Sequence, residues 1–383
     1  MRKGRSARAA GRGRRTAADE THVDGSACRS SIVSKPRSFR APSEQVVNPP
    51  MSTFAPIFLV GCPRSGTTLV RRMLDAHPQV AIAPETFFVY KFWRHRRHYG
   101  DLRADANLNR LLDDLLAFRG VADVALDGEA LREKARRSDR RYRTLFTLFL
   151  RQFAEERGAA VAGEKTPNHV FYLRLLQRGF PAARFVHVLR DARAVANSWR
   201  GLPWSSGRLW RDAARWREHV AAARRSRTGG ALCTVRFERL VRAPERELRR
   251  LCAFLELDFV PAMLRFHEDA GAAPTGPVNT GREPWKEKAT RPLDPSVAEQ
   301  WKEDLTPAQV AQVEGRAGRE MRRWGYAPQT PRGSLAWARA ETQVREWAWM
   351  AGRAARAFGR APDALRRAWK PFAPAPREDR DQT

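Results

Sequence analysis

The feature that most constrains this chain is a glycine-bounded loop between a short apolar segment and a helical one. Residues 61–68 read Gly-Cys-Pro-Arg-Ser-Gly-Thr-Thr, after the apolar run Pro56–Gly61 and at the start of helical spacing over Thr67–His77. A short apolar run of this kind is typical of a strand buried in a parallel sheet. Together, a strand, a glycine loop and a helix N-terminus present backbone N–H groups and the positive end of a helix dipole, which bind anions. The sequence therefore predicts an anion-binding loop in an α/β fold.

The loop has the spacing of a nucleoside-triphosphate P-loop but lacks the lysine of that motif. In G-x-x-x-x-G-K-[ST] the lysine contacts the terminal phosphates, and Thr67 takes its position here. The nearest cation is Arg64, which lies within the loop itself. A magnesium triphosphate is therefore disfavoured as the ligand, and a small-molecule kinase is kept only as an alternative.

Strands and helices alternate along the rest of the chain. Apolar runs of strand length recur, and segments with helical spacing follow them. Strands are predicted at Pro56–Gly61, Arg184–Leu189 and Leu232–Phe237, and helices also at Leu111–Phe118, Tyr142–Ala154, Ala192–Arg200 and Pro244–Leu255. This alternation predicts an α/β fold of three layers with a central parallel sheet, to which residues 90–160 add a helical lobe.

Composition divides the chain into three parts. Residues 1–50 are rich in Arg, Ser, Gly, Ala and Pro without sustained periodicity, which predicts a disordered basic arm. Residues 51–328 are the predicted folded domain, and residues 329–383 are a predicted basic, amphipathic helical tail. No apolar run approaches the 18 or so residues that a spanning helix needs, so no transmembrane helix is predicted.

The net charge of the chain is +29, from 71 Lys and Arg against 42 Asp and Glu. Such a charge favours anionic partners. A nucleic-acid-binding protein is an alternative supported by charge alone, because no helix-turn-helix, zinc-finger or RNA-binding pattern is present. The four cysteines have no paired spacing, and no His, Cys and acidic residues have metal-ligand spacing, so neither disulfides nor a metal are predicted. We expect a reducing, cytoplasmic location.

The loop and its helix carry a family resemblance. The segment CPRSGTTLVRRMLDAHPQV, residues 62–80, resembles the 5′-phosphosulfate loop of sulfotransferases that use 3′-phosphoadenosine 5′-phosphosulfate (PAPS), especially protein-tyrosine, carbohydrate and bacterial members with P-R-S-G-T-T. The resemblance covers roughly residues 55–328. It implies a fold related to P-loop kinases and metal-free, in-line transfer of a sulfuryl group from PAPS to an acceptor hydroxyl or amine. It also implies that five loop residues hold the phosphosulfate: Arg64, Ser65, Gly66, Thr67 and Thr68.

A second strand–helix segment resembles the part of the family that binds the 3′-phosphate. In ARFVHVLRDARAVANSW, Arg190 stands at the end of the predicted strand and Ser198 eight residues later on the helix. The family has an Arg and a Ser at this spacing, so the resemblance implies that Arg190 and Ser198 bind the 3′-phosphate of PAPS. The chemistry is suitable, because a guanidinium forms a charge-assisted fork with a phosphate.

The catalytic residues are also implied by the resemblance. Protein-tyrosine sulfotransferases place a catalytic Glu 21 residues after the loop Arg, and Glu85 stands 21 residues after Arg64. Glu85 is therefore the predicted base. Cytosolic small-molecule sulfotransferases use the His of a K-T-H motif instead, but Pro167 takes that position here, which leaves His169 as a weaker candidate. Lys165 matches the transition-state lysine of the family and is predicted to neutralise the leaving oxygen together with Arg64.

The acceptor is not indicated by the sequence: a carbohydrate, a lipid, a small molecule and a peptide are all kept open. The helical lobe is expected to shape the acceptor pocket, since it carries a basic cluster with Trp93 at residues 93–97. Residues 281–301 fall where the family has a loop that covers the cofactor. Lys286, Lys288, Thr290 and Arg291 fall in that region, and the prediction is of the region rather than of any one of these residues.

The tail has the pattern of an amphipathic helix that begins at Ser334, the predicted cap. Apolar residues recur every three or four positions, flanked by arginines. They are Trp337, Ala340, Val344, Trp347, Ala351, Ala354 and Phe358. Two interpretations are kept: this stripe packs against the folded domain, or it makes a peripheral contact with a membrane, as basic aromatic helices do.

Overall fold

The computed structural model describes residues 54–122, 124–226, 228–268 and 284–358. The predicted basic arm, residues 1–50, lies outside the described residues, as does the chain after residue 358. Among the helices that are described, none is long and apolar enough to cross a membrane.

Five parallel strands form one sheet in the described part of the chain. They are β1 (Ile57–Gly61), β2 (Val80–Ala83), β3 (Val161–Lys165), β4 (Arg184–Leu189) and β5 (Leu232–Arg236). Their order across the sheet is β2-β3-β1-β4-β5, and every neighbouring pair is parallel. The central parallel sheet predicted from the alternation is confirmed. The carboxyl ends of the strands meet at one edge, which is where ligands bind in open α/β sheets.

Helices surround this sheet and include the predicted ones, with small differences at their ends. The α-helices are α1 (Thr67–Asp75), α2 (Arg96–Tyr99), α3 (Asp105–Leu116), α4 (Arg119–Ala122), α5 (Gly128–Arg136), α6 (Tyr142–Glu155), α7 (Leu173–Gly179), α8 (Ala192–Trp199), α9 (Leu209–Arg225), α10 (Phe237–Arg242), α11 (Pro244–Leu255), α12 (Trp301–Asp304), α13 (Pro307–Arg323) and α14 (Arg332–Phe358). Short π or 3₁₀ segments lie at Phe88–Trp93, Pro167–Tyr172, Pro261–Leu264, Pro284–Thr290 and Pro295–Ala298.

The sheet is buried on both faces. Successive residues of β1 alternate between two apolar cores: Phe58 packs with the helical lobe, while Leu59 packs with α1 and α11. On the lobe side, the rings of Phe88 and Phe146 stack 4.3 Å apart. Because both faces are covered, the central strand β1 reads as a continuous apolar run rather than as an alternating one. The predicted three-layer arrangement is therefore confirmed.

The tail helix differs from the predicted start and from one of the two interpretations of its packing. Helix α14 begins at Arg332, where the Leu335 N–H donates to the Pro331 carbonyl, so Ser334 lies inside the first turn and the predicted cap is wrong. The side chains that α14 buries include Leu335, Ala338 and Thr342, which belong to another face than the predicted stripe. Five members of the stripe, Trp337, Ala340, Val344, Trp347 and Ala351, are exposed, so the interpretation that the stripe packs against the folded domain is wrong for them. The side chains of Ala354 and Phe358 lie outside the described residues.

Candidate active site

The anion-binding loop joins β1 to α1 at the carboxyl edge of the sheet. The Ser65 N–H donates to the Cys62 carbonyl at 3.1 Å, and the Val70 N–H donates to the Gly66 carbonyl at 3.0 Å, which starts the helix. Gly66 has a φ of +98°, and a Cβ there would lie 2.5 Å from the ring of Phe237. Only glycine therefore fits this position without displacing the ring. The loop is held close to β5 and α10 as a result.

The two predicted nucleotide-binding segments are in direct contact. Arg64 has a φ of +71°, and its Nε donates to the Ser198 hydroxyl at 3.1 Å. Arg190 donates from Nη1 to the Arg64 carbonyl at 3.2 Å. The Trp199 indole N–H adds a bond to the Pro63 carbonyl at 3.1 Å. The structure therefore brings Arg64, Arg190 and Ser198 together, although they are distant in sequence.

Arg190 is held in a fixed orientation at the end of β4. Its guanidinium lies 4.3 Å from the ring centroid of Phe237 and donates from Nη2 to the Val297 carbonyl at 2.8 Å. Burial lowers the pKa of this guanidinium, which nonetheless stays charged because the pKa of arginine in proteins is so high. Its position between an aromatic ring and two carbonyls limits the side chain to one direction.

Two buried donors of the site have no hydrogen-bond partner among the described residues: the Ser65 hydroxyl and Arg190 Nε. Ser65 is fully buried, and Arg190 is 8% exposed. A buried polar atom without a partner costs free energy, so each one calls for an explanation such as a bound ligand. Both donors belong to the group that includes the loop N–H groups and Arg64. The arrangement fits a ligand with phosphate groups.

The predicted base and the predicted lysine form an ion pair. Glu85 follows β2 and Lys165 ends β3, and these neighbouring parallel strands deliver both side chains to the same edge. Lys165 Nζ donates to Glu85 Oε1, and Lys286 Nζ lies 3.4 Å from the same oxygen. Lys165 is 1% exposed, whereas 23% of the Glu85 side chain is exposed. One carboxylate oxygen is thus shared by two ammonium groups while the carboxyl group still reaches solvent.

The electrostatics of this pair shift both pKa values. Burial raises the pKa of Glu85, but the charges of Lys165 and Lys286 outweigh it and lower that pKa to about 2. Burial lowers the pKa of Lys165 to about 8, against the opposing effect of Glu85. At neutral pH the carboxylate is therefore ionised, and the lysine is close to the pH at which it loses its proton.

A second carboxylate, Glu164, holds the segment that carries Glu85 in place. Glu164 is fully buried, and its Oε1 accepts hydrogen bonds from the Thr86 N–H at 3.1 Å, the Thr86 hydroxyl at 2.9 Å and the Thr166 hydroxyl. His169 Nε2 accepts from the Val89 N–H at 3.3 Å, so Nδ1 carries the proton and donates it to Glu164 Oε2 at 3.0 Å. These bonds fix the segment after β2 that carries Glu85.

These hydrogen bonds show the roles of two residues that the sequence singled out, His169 and Lys165. Both ring nitrogens of His169 are used and the residue is fully buried, so it is a structural residue rather than an open base. Lys165 pairs with Glu85 across the two strands and keeps the position expected for the lysine at this edge of the sheet. Sequence analysis missed the role of Glu164; the signal that was present is a polar Glu-Lys-Thr run at the end of a strand.

The segment after Pro284 lies against the site, in the region where a covering loop was expected. Besides the contact of Lys286 with Glu85, the Trp285 ring meets the Trp204 ring edge-on at 4.6 Å. Three other polar residues of this region make contacts with residues nearby in sequence. Lys288 donates to Gln300, Thr290 donates to the Glu287 carbonyl, and Arg291 pairs with Glu287.

Comparison with known proteins agrees with this geometry. The model of the sulfotransferase family matches residues 56–261, which is more than half of the chain. The chain belongs to the sulfotransferase family. Its reaction is therefore sulfuryl transfer, and neither the kinase nor the nucleic-acid-binding alternative is favoured.

Relatives of this sulfotransferase include protein-tyrosine sulfotransferase 1 of Danio rerio and protein-tyrosine sulfotransferase 2 of Gallus gallus. The first is 29% identical over 57% of this chain and 57% of its own length. The second is 26% identical over 71% of this chain and 69% of its own length. Among solved structures, the sulfotransferase domain from the curacin biosynthetic pathway is 18% identical over 73% of this chain and 99% of that domain, with a TM-score of 0.50. This last similarity supports the fold.

No metal site is found in the part of the sulfotransferase that the structure describes, because no three His, Cys, Asp or Glu residues are grouped there. The described cysteines, Cys62, Cys233 and Cys252, are buried, and none of them forms a disulfide. The positively charged groups described at the site are the side chains of Arg64, Arg190, Lys165 and Lys286.

Proposed function

We propose that this sulfotransferase uses PAPS as the sulfuryl donor. The observation that supports this proposal is a pair of buried donors without partners, Ser65 Oγ and Arg190 Nε. They belong to the same two segments that the hydrogen bond between Arg64 and Ser198 joins. Residues 64–68 would hold the 5′-phosphosulfate, and Arg190 and Ser198 the 3′-phosphate. When bound, PAPS supplies a sulfuryl group on a phosphate leaving group. The residues of the chain bind and orient it and stabilise the charge that develops.

The proposed base is Glu85, which would take the proton of an acceptor hydroxyl or amine. Its carboxylate is ionised at neutral pH, but its low pKa makes it a weak base while Lys165 and Lys286 are beside it. An anionic group that draws Lys165 away from Glu85 would raise the pKa of the carboxylate towards its ordinary value. Lys165 would thereby strengthen the base when it contacts the leaving oxygen.

Nucleotide titration tests the donor. Calorimetry of the full chain with adenosine 3′,5′-bisphosphate, adenosine 5′-monophosphate and ATP measures which phosphate groups of a nucleotide the site recognises. We expect the bisphosphate to bind most tightly, since it alone carries the 3′-phosphate. ATP binding that is as tight, and strengthened by Mg²⁺, would instead favour the kinase alternative.

The proposed acceptor is a hydroxyl on an acidic peptide, with tyrosine as the first candidate. The Danio rerio and Gallus gallus relatives are named protein-tyrosine sulfotransferases, and the net charge of +29 favours a negatively charged acceptor. A transfer assay with labelled PAPS would compare a tyrosine peptide flanked by glutamates with the same peptide carrying phenylalanine. Carbohydrate and lipid acceptors belong in the same panel. Transfer to those and not to tyrosine would redirect the assignment of the acceptor.

A further inference from the structure

Helix α14 presents an apolar stripe that faces away from the rest of the molecule. Three of its large side chains are strongly exposed: Trp337 at 66%, Val344 at 60% and Trp347 at 62%. Ala340 and Ala351, which share this side of the helix, are exposed as well. Exposed tryptophans are uncommon on a protein surface unless they contact a partner, and here two of them lie on one stripe.

The orientation of this stripe is fixed by the opposite side of α14. Leu335, Ala338 and Thr342 are buried, and Ala338 approaches Gly315 of α13 so closely that a Cβ at Gly315 would lie 3.0 Å from the Ala338 carbonyl carbon. Arg316 of α13 pairs with Glu346. Further along the helix, the guanidinium of Arg211 on α9 lies 3.6 Å from the ring centroid of Trp349. The stripe therefore points outward because the other side is closely packed.

A basic groove runs beside the stripe. It has a volume of about 710 Å³ and lies between α9, α13 and α14. Eight arginines and two glutamates line it; the arginines are Arg217, Arg224, Arg225, Arg316, Arg319, Arg322, Arg323 and Arg339. Arg339 and Gln343 of α14 belong to the lining, and they precede Ala340 and Val344 of the stripe by one residue each. The positive groove and the apolar stripe are therefore adjacent on one surface.

We infer that this surface binds an anionic lipid bilayer. An interfacial helix places tryptophans at the boundary between headgroups and acyl chains, while neighbouring cations attract acidic headgroups. Trp337 and Trp347 are the tryptophans that would lie at this boundary, and the arginines of the groove are the cations that would attract the headgroups. A second copy of the chain fits less well, because two grooves each lined by eight arginines and two glutamates would repel each other. The membrane contact is separate from the nucleotide site, whose residues lie on other elements.

Vesicle flotation of the full chain tests this inference. We expect binding to vesicles of phosphatidylcholine with phosphatidylserine, and at least about tenfold weaker binding to phosphatidylcholine alone. The stripe variant W337S/W347S should bind anionic vesicles about tenfold or more weakly, since it loses the inserted aromatic surface. The groove variant R319E/R322E should lose at least as much, whereas R136E/R246E, with the same change of charge on α5 and α11, should bind within about threefold of wild type.

Light scattering and circular dichroism complete the test. Trp337 and Trp347 are exposed, so the stripe variant should keep its helical spectrum and its nucleotide affinity. Equal flotation of wild type and the stripe variant would overturn the inference, as would flotation that R136E/R246E weakens as much as R319E/R322E. A lipid-free dimer that the stripe variant converts to monomer, with no vesicle binding by wild type, would overturn it in favour of a second copy.

Discussion

Arg190 is the residue through which recognition of the 3′-phosphate can be measured. Because its guanidinium would form a charge-assisted bond with that phosphate, Arg190→Ala should lower the affinity for adenosine 3′,5′-bisphosphate about ten- to a hundredfold. Affinity for adenosine 5′-monophosphate should hardly change, since that nucleotide lacks the group. Arg184→Ala is the matched control, because Arg184 begins the same strand and pairs with the surface residue Glu256. An equal loss for both nucleotides would contradict the assignment.

Glu85 is the residue at which proton removal can be separated from binding. Glu85→Gln keeps the size of the side chain but removes the base, so turnover should fall about 10²–10⁴-fold while nucleotide affinity stays close to that of wild type. The assay is initial-rate sulfuryl transfer beside calorimetry of the bisphosphate. Glu256→Gln, a change at an exposed carboxylate, should leave both quantities unaltered. A fully active Glu85→Gln enzyme would exclude Glu85 as the base.

Lys165 gives the site a predicted dependence on pH. Its pKa is lowered from 10.5 to about 8 by burial, so the ammonium that would stabilise the leaving oxygen loses its proton as the pH rises through about 8. We expect kcat/KM to decrease above that pH, since this ratio reports the pKa values of the free enzyme. Lys165→Arg should move the decrease to higher pH, because a guanidinium stays charged. An unchanged profile in that variant would assign the titration to another group.

At the scale of elements, strand β3 marks the limit of what the sequence predicts. The apolar runs of β1, β4 and β5 were recognised because strands buried on both faces read as continuous apolar segments. The sequence of β3, Val-Ala-Gly-Glu-Lys, was not recognised, since two of its five residues are charged. Those charges are tolerated in the sheet because Glu164 accepts several hydrogen bonds and Lys165 pairs with Glu85. The contacts that make this strand possible come from residues far away in sequence.

The buried network around Glu164 should therefore contribute strongly to stability. Glu164→Ala leaves the donors of Thr86, Thr166 and His169 buried without their acceptor, which should lower the free energy of unfolding by about 3 kcal/mol. Urea unfolding followed by circular dichroism measures this change. Glu129→Ala, at a side chain that is 83% exposed, should change it by less than about 0.5 kcal/mol. Similar values for the two variants would show that the network is not a stabilising unit.

At the scale of the whole molecule, the meeting of the candidate residues at one edge of the sheet was predictable, whereas the packing of the tail was not. Motif spacing selected Arg64, Arg190 and Glu85 as candidates, and loops at the carboxyl edge of a sheet converge whatever the intervening chain does. One of the two interpretations of α14 buried its large apolar stripe, since large apolar side chains are usually the buried ones. Here the contact with α13 is made at Gly315 and Ala338, where two helices approach closely only through small residues. Hydrophobicity predicts that tryptophan is buried in preference to alanine, whereas the close approach of two helices requires the smaller alanine side chain at the contact.

Helix α14 is expected to stabilise the folded body without contributing to the nucleotide site. Truncation after Thr330 removes the buried contacts of Leu335, Ala338 and Thr342 and the partner of Arg316. We expect thermal unfolding to shift to lower temperature, by about 1–2 °C for each kcal/mol lost in a folded body of roughly 300 residues, with unchanged affinity for adenosine 3′,5′-bisphosphate. The stripe variant W337S/W347S, whose substituted side chains are exposed, is the matched control and should shift neither quantity. Loss of nucleotide affinity on truncation after Thr330, at an unchanged unfolding temperature, would mean that the tail forms part of the site.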